Sequence, residues 1–321
     1  MYKQRKNKVS VKKIAGFLKT NYKGKDFDVT SISSLNNVKN NSLLFYSEMI
    51  NSQFKIKDNL HYDLKKLEKY KNIVLIATEN IKKKVNVPVI SSKNPRLDFQ
   101  RTVMKFFTED EFKPDIHKTA IIEKTANIGK NVYIGSHCYI GNNVTIGSNT
   151  KILSNTSIYG NTRIGFNSVI KSNTTIGSEG FGFSFTGDEL FHFASLGSII
   201  IGNNVWIGSN CTVEKAQIDK TIIEDHVKID DLVQIGHNAI IKKFSQIAAG
   251  TIISGRVKIG VGCWIAPNVV VDNGNEIGNN CLVGSLSLVK TNFPKNSIIV
   301  GSPARLLKKN IWPCSLMKLY T

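Results

Sequence analysis

The sequence predicts a mainly β protein, a left-handed parallel β-helix of hexapeptide repeats preceded by a small N-terminal α/β domain. Three observations carry this. Isoleucine returns every six residues from Ile122 to Ile176, ten times in one register. The register resumes at Ile201, Ile207 and Val213, slips once, and runs on from Ile223 to Val289. Before residue 113 the six-residue period is absent. A period of six fits neither a helix nor a simple alternating strand. It fits coils of three hexapeptides, in which each aliphatic points inward and stacks on its counterpart one coil away.

The N-terminal domain, residues 1–113, reads in order as follows. Ser10 caps a short helix with Val11, Ile14, Phe17 and Leu18 on one face. The stretches VTSISSL, SLLFYS, NIVLIAT and VPVISS are short apolar strands, with a helical link at 60–71. Pro95 opens a helix over 94–107, and TEDEFKPD (108–115) is a linker into the coils. About eight coils fit between 115 and 292. Four residues after most ladder aliphatics stands a small or β-branched residue, which suits a tighter inward slot. Cys138, Cys211, Cys263 and Cys281 occupy that slot, so they are core residues rather than nucleophiles or metal ligands. Gly and Asn fall at the corners, where positive φ is tolerated. Such coils wind left-handed, against the usual crossover rule.

Residues 177–198 break the repeat and bring Phe181, Phe183, Phe185, Phe191, Phe193 and His192. Five phenylalanines on a solvated loop are costly, so this insertion is expected to cover a substrate, an acyl chain or a neighbouring subunit. The β-helix domain spans 114–292, and residues 293–321 read as a loop and a basic tail.

Composition narrows the partners. No apolar run approaches a membrane span, and the basic N-terminus lacks the apolar core of a secretion signal, so a cytoplasmic protein is expected. The five cysteines have no metal-type spacing, which fits a reduced compartment. Net charge is +19, but 37 of the 43 basic residues are Lys, and 33 Asn accompany them. A joint Lys and Asn excess reads as a genome-wide bias. The Lys residues form no stripe interleaved with aromatics, so nucleic acid is not a partner. An acidic carrier protein or a polyphosphorylated cofactor remains open.

The chemistry gathers in KIDDLVQIGHNAII. His237 lies two places after Ile235, and Gly255 two places after Ile253. The eighteen-residue separation is one coil, so the two share a corner slot about 4.8 Å apart along the axis. An imidazole beside a glycine amide suits a general base next to an oxyanion donor. The alternative is a solvated corner histidine, as expected of His137 and His226.

The order of head domain, coils, GSEGFGF insertion, register slip and KIDDLVQIGHN resembles the LpxD family, the UDP-3-O-acylglucosamine N-acyltransferases of lipid A synthesis in lipopolysaccharide assembly. The resemblance covers about residues 9–290. It implies His237 as catalytic base, Gly255 as oxyanion donor and Asp230 as an orienting group. It also implies a substrate-binding set of Phe45, Tyr46, Gly180, Phe181, Phe183, Asn238 and Asn273. A homotrimer with sites between subunits, a nucleotide-linked amino sugar as acceptor and acyl carrier protein as donor follow from it, with no permanently bound cofactor or metal. Three features depart from the family. The uracil-stacking run is SLLFYSEMINSQF, so only Phe45 carries over, with Tyr46 a substitute. Asn273 and Asn275 stand where a second His is usual. The end, FPKNSIIVGSPARLLKK, resembles coenzyme A-dependent hexapeptide acetyltransferases, with Arg305, Lys308 and Lys309 placed for a coenzyme A phosphate. The alternatives are therefore an acyl- or acetyl-coenzyme A-dependent enzyme acting on a dideoxyaminosugar nucleotide for O-antigen or capsule, and a non-catalytic scaffold. A γ-carbonic-anhydrase-like metal site would need three converging His, which the spacing does not offer.

Overall fold

The computed structural model describes residues 1–47, 50–51, 56–57 and 63–310. His61, Cys314, the start of the expected 60–71 link and the tail from residue 311 lie outside the described residues. The chain forms two compact units, Met1–Glu111 and Phe112–Thr321.

The first unit is built on a four-stranded parallel sheet in the order Ser31–Ile32, Ser42–Phe45, Val74–Ala77, Val89–Ser91. The central strand Val74–Ala77 is a continuous apolar run buried along its length, as a parallel strand covered on both faces must be. Ser10 caps the helix Val11–Phe17, its Oγ accepting from the Lys13 N–H at 3.2 Å. Asn94 and Pro95 open the helix Pro95–Thr102, which continues as a π-helical turn, Val103–Phe107. The expected linker is partly a strand: Thr108–Asp110 pairs antiparallel with Tyr2–Gln4.

The second unit is a left-handed β-helix with three flat faces. Face one begins with Asp115–Ile116, face two with Ile121–Ile122 and face three with Asn127–Ile128. Each strand pairs parallel with the strand one coil away. The faces contain eleven, nine and eight strands. The ladder aliphatics stack in one continuous core, from Ile134 to Ile299, most of them at most 1% exposed. Each such side chain contributes about 1.5–3 kcal/mol by leaving water. Cys138, Cys211, Cys263 and Cys281 are buried in the tighter slot. Burial pushes the Cys138 and Cys211 thiols up. Cys281 is held down to about 7, chiefly by the hydrogen bond from Cys263 one coil below.

The corners correct the compositional reading of asparagine. Thirteen asparagines between 131 and 296 have positive φ, each turning a corner of the prism. Asn accepts this conformation more readily than other residues with a Cβ. Part of the Asn excess is thus architectural. The carboxyl end also differs from the expected loop. Ser297–Gly301 and Ala304–Lys309 form an antiparallel hairpin that adds two strands to face one. The alternating apolar positions of Ser297–Gly301 bury Ile299 on the end of the ladder.

Candidate active site

The corner between faces two and three carries the site. Five successive coils contribute to it. The strand Thr175–Ser178 leads into the insertion. Thr212–Glu214 leads into the register slip, where ten residues rather than six separate Val213 from Ile223. Gln234–Ile235 leads to His237, Ile252–Ile253 to Gly255 and Val270–Val271 to Asn273. The pairing Ile235↔Ile253↔Val271 puts His237, Gly255 and Asn273 in one column.

The imidazole lies against the backbone of the next coil. A Cβ on Gly255 would sit 2.6 Å from His237 Nε2, so only glycine leaves room for the ring. Gly236 performs the same service for the amide: a Cβ there would lie 2.6 Å from the Gly255 nitrogen. Among the described residues that Gly255 N–H finds no hydrogen-bond acceptor. An imidazole nitrogen and a free donor therefore border one small volume, the arrangement a proton-abstracting base and an oxyanion donor require.

Beneath the ring is a residue that sequence reading missed. Glu214 is only 8% exposed. Its Oε2 accepts from the His237 backbone N–H at 3.1 Å, and its Oε1 accepts from Gln234 Nε2 at 3.1 Å. A buried carboxylate needs such partners. The signal was present, since the place directly after a ladder aliphatic, usually Gly in the regular coils, holds a charge here immediately before the slip. Gly180, the first turn of the insertion, closes over both groups, a Cβ there falling 3.0 Å from the His237 ring and 3.2 Å from Glu214 Oε2.

The insertion is a two-stranded hairpin, Phe183–Phe185 with Leu190–His192. Glu179 Oε2 meets His192 Nε2 at 3.3 Å near its base. Phe181 is 91% exposed and packs edge-on against Phe183, their ring centroids 5.2 Å apart. The return leg rests on the register slip. The Leu196, Gly197 and Ser198 N–H groups donate to the carbonyls of Gln217, Ala216 and Asp219. The two interruptions seen in the sequence are thus one structure.

The other expected site residues are dispersed. Asp230 follows Lys228–Ile229 on the corner between faces one and two, so within one chain it does not reach His237. The reason is the period itself: seven residues separate the two, one face and one corner. Asn238 is beside His237, but its amide is occupied by protein groups rather than presented to a substrate. Asn273 is exposed, two coils from His237. Phe45 is half-buried against Phe99 with ring centroids 4.9 Å apart. Tyr46 is 4% exposed, so its ring is part of the unit's core and offers no stacking surface. Arg305, Lys308 and Lys309 are exposed on the terminal hairpin. His226 stacks on Phe244 at 4.9 Å on the third corner, apart from His237.

Comparison with known proteins gives three results. A family model of the GMPPB C-terminal domain matches residues 113–181. The UDP-3-O-acylglucosamine N-acyltransferase of Acinetobacter baumannii (strain AYE) is 49% identical over 85 residues, 26% of this chain and 24% of that protein. The enzyme of the same description from Hahella chejuensis (strain KCTC 2396) is 34% identical over 129 residues, 40% of this chain and 37% of that one. The match thus spans 24% and 37% of the length of these two curated relatives. Among solved structures, LpxA from Acinetobacter baumannii superposes with a TM-score of 0.57 at 29% identity, covering 63% of this chain and 77% of that one. The UDP-N-acetylglucosamine O-acyltransferase LpxA of Moraxella catarrhalis RH4 gives 0.56 at 25% identity, over 64% and 77%. The likeness to acyltransferases of sugar nucleotides is shared by the sequence and the structural relatives. Among the described residues no helix is long and apolar enough to cross a membrane.

Proposed function

We propose that this chain is an N-acyltransferase of the LpxD type, transferring an acyl group from a thioester to the amine of a UDP-linked 3-O-acylglucosamine. The observation that carries the reading is His237 Nε2 lying against Gly255, with the Gly255 N–H free. The thioester is already activated, so no covalent enzyme intermediate is required. The amine attacks the thioester carbonyl and the C–N bond forms. His237 Nε2 takes the amine proton, and the Gly255 N–H steadies the oxyanion. Collapse then breaks the C–S bond and expels the thiolate. A positioned base contributes about 10²–10⁴-fold, and one well-aimed oxyanion donor about 2.7–4 kcal/mol.

The N-terminal unit is assigned to the nucleotide, with Phe45 its candidate contact. The corner is open in one chain, so the second wall comes from a neighbouring copy in a cytoplasmic homotrimer. Asp230 belongs to that reading as a group offered to a neighbour's site. The exposed phenylalanines of the hairpin support a long acyl chain carried by acyl carrier protein. A second reading is supported by Arg305, Lys308 and Lys309 on one exposed strand, which suit coenzyme A phosphates and a short acyl group for a dideoxyaminosugar nucleotide. The deciding experiment pairs carrier-protein and coenzyme A thioesters of several lengths with UDP- and dTDP-amino sugars, with products read by mass spectrometry. On the lipid reading kcat/KM rises up to about fourfold per buried methylene. Preference for acetyl-coenzyme A establishes the second reading, and absence of any acyl product overturns both.

A further inference from the structure

The register slip has a chemical use that the repeat alone does not explain. Its extra residues bulge at the corner one coil below His237, and they grip the side chain of Asn238. The Asn238 Nδ2 donates to the Ile218 carbonyl at 2.6 Å. Its Oδ1 accepts from the Gln217 backbone N–H at 3.2 Å. Its own backbone N–H donates to Thr221 Oγ1 at 2.8 Å. A carbonyl can only accept and a backbone N–H can only donate, so these two bulge groups fix which end of the amide is oxygen. That oxygen is the atom facing His237 Nδ1, at 3.1 Å. An oxygen acceptor there requires a proton on Nδ1. In the neutral ring Nε2 is then left with its lone pair, and Nε2 is the atom against Gly255. Asn238 stands in the left-handed region, φ 61°, which suits Asn and holds the amide beside the preceding ring. Arg256 braces the same bulge from two coils above, its Nη2 donating to Gln217 Oε1 at 3.3 Å.

We propose that the bulge at 215–219, acting through Asn238, locks His237 in the tautomer with the proton on Nδ1, so that Asn238 is a positioning residue and Nε2 the basic atom. A coil with the regular six-residue step has no residues to spare for this cradle. The inference rests on His237 being the base of the proposed acyl transfer, yet the tautomer can be measured without substrate.

The test uses the full chain with its histidines labelled in nitrogen-15, above about pH 8, where an ordinary imidazole is neutral. Long-range proton–nitrogen correlation distinguishes a protonated from an unprotonated ring nitrogen, and the signal missing from His237→Ala assigns His237. The wild-type ring is expected to show the proton on Nδ1. Asn238→Ala is expected to transfer a substantial share of it to Nε2, while Asn238→Asp, which keeps an acceptor oxygen, retains the wild-type pattern. In turnover, kcat of Asn238→Ala falls at least about tenfold with KM within about twofold, and Asn238→Asp recovers part of the loss. A wild-type proton on Nε2 overturns the proposal. So does an unchanged His237 signal in an Asn238→Ala chain that is folded by circular dichroism. If the tautomer moves as expected but no variant, wild type included, transfers an acyl group, the cradle stands and the acyltransferase reading fails.

Discussion

The coils from Ile122 to Ile176 and those from Ile207 to Val271 share an interior and differ outside. Both stack the same aliphatic ladder, and both turn corners on positive-φ residues. In the first stretch the corner between faces two and three holds Gly141, Asn142 and Asn143, or Tyr159 and Gly160, in unbroken hexapeptides. At the junction of the two the same corner sends out a hairpin, and in the second stretch it takes in four extra residues and buries a carboxylate below a histidine. Regular coils show what the fold needs. Whatever the second stretch adds to that is available for chemistry, because the ladder beneath is already complete. The two additions also support each other, since the hairpin's return leg is hydrogen-bonded to the bulge.

That contrast can be broken at its strongest point first. His237→Ala is expected to retain fold and thermal midpoint while turnover falls by about 10²-fold or more, measured as product formed from a thioester and an amino-sugar nucleotide. Gly255→Ala drives a methyl into Nε2 and is expected to lose activity to a similar degree. The interior responds in the opposite sense. Ile158→Ala opens a cavity in the ladder and is expected to cost about 2–5 kcal/mol in denaturant unfolding, with no specific effect on the residual turnover of the folded fraction.

These effects sort what was readable in the sequence from what was not. The ladder, the inward cysteines and the His237–Gly255 column follow from counting in sixes, because a solenoid converts sequence distance into spatial distance. The corner that holds Asp230 is equally countable: seven residues from His237 is one face away within a single chain. Glu214, the role of Asn238 and the union of hairpin and slip were not countable. They arise where the period fails, and there the position of a side chain is set by hydrogen bonds rather than by register. Tyr46 failed for a related reason, since the end of a short parallel strand does not reveal which side of the sheet its ring takes.

Smaller effects test the corners. Leu232 holds φ 62° and is 62% exposed, a conformation that costs a residue with a Cβ about 1–2 kcal/mol. Leu232→Asn is expected to raise the thermal midpoint of the isolated chain by a few degrees, corresponding to about 1 kcal/mol. A fall instead would mean that an adjoining copy covers this leucine. The weakest effect is confined to acid. The hydrogen bond from Lys171 Nζ, at 2.6 Å, holds the Asp231 carboxyl below its usual range, with help from the Ser209 N–H. A depressed folded pKa stabilises the protein above the unfolded value and is lost as pH falls through the folded one. Asp231→Asn is therefore expected to lower the thermal midpoint slightly at neutral pH and to flatten its decline below about pH 4.

The terminal hairpin sets a limit of another kind. Parallel coils are an open series: the last coil exposes a row of unpaired amides and carbonyls matching the next, and nothing in a hexapeptide says when to stop. The strand Ala304–Lys309 runs antiparallel to its neighbour, shifts register within it, and carries Arg305, Lys308 and Lys309 into solvent. An incoming parallel coil meets the wrong polarity and a repelling charge. Face one thus ends on an edge whose direction and register do not continue the hexapeptide series.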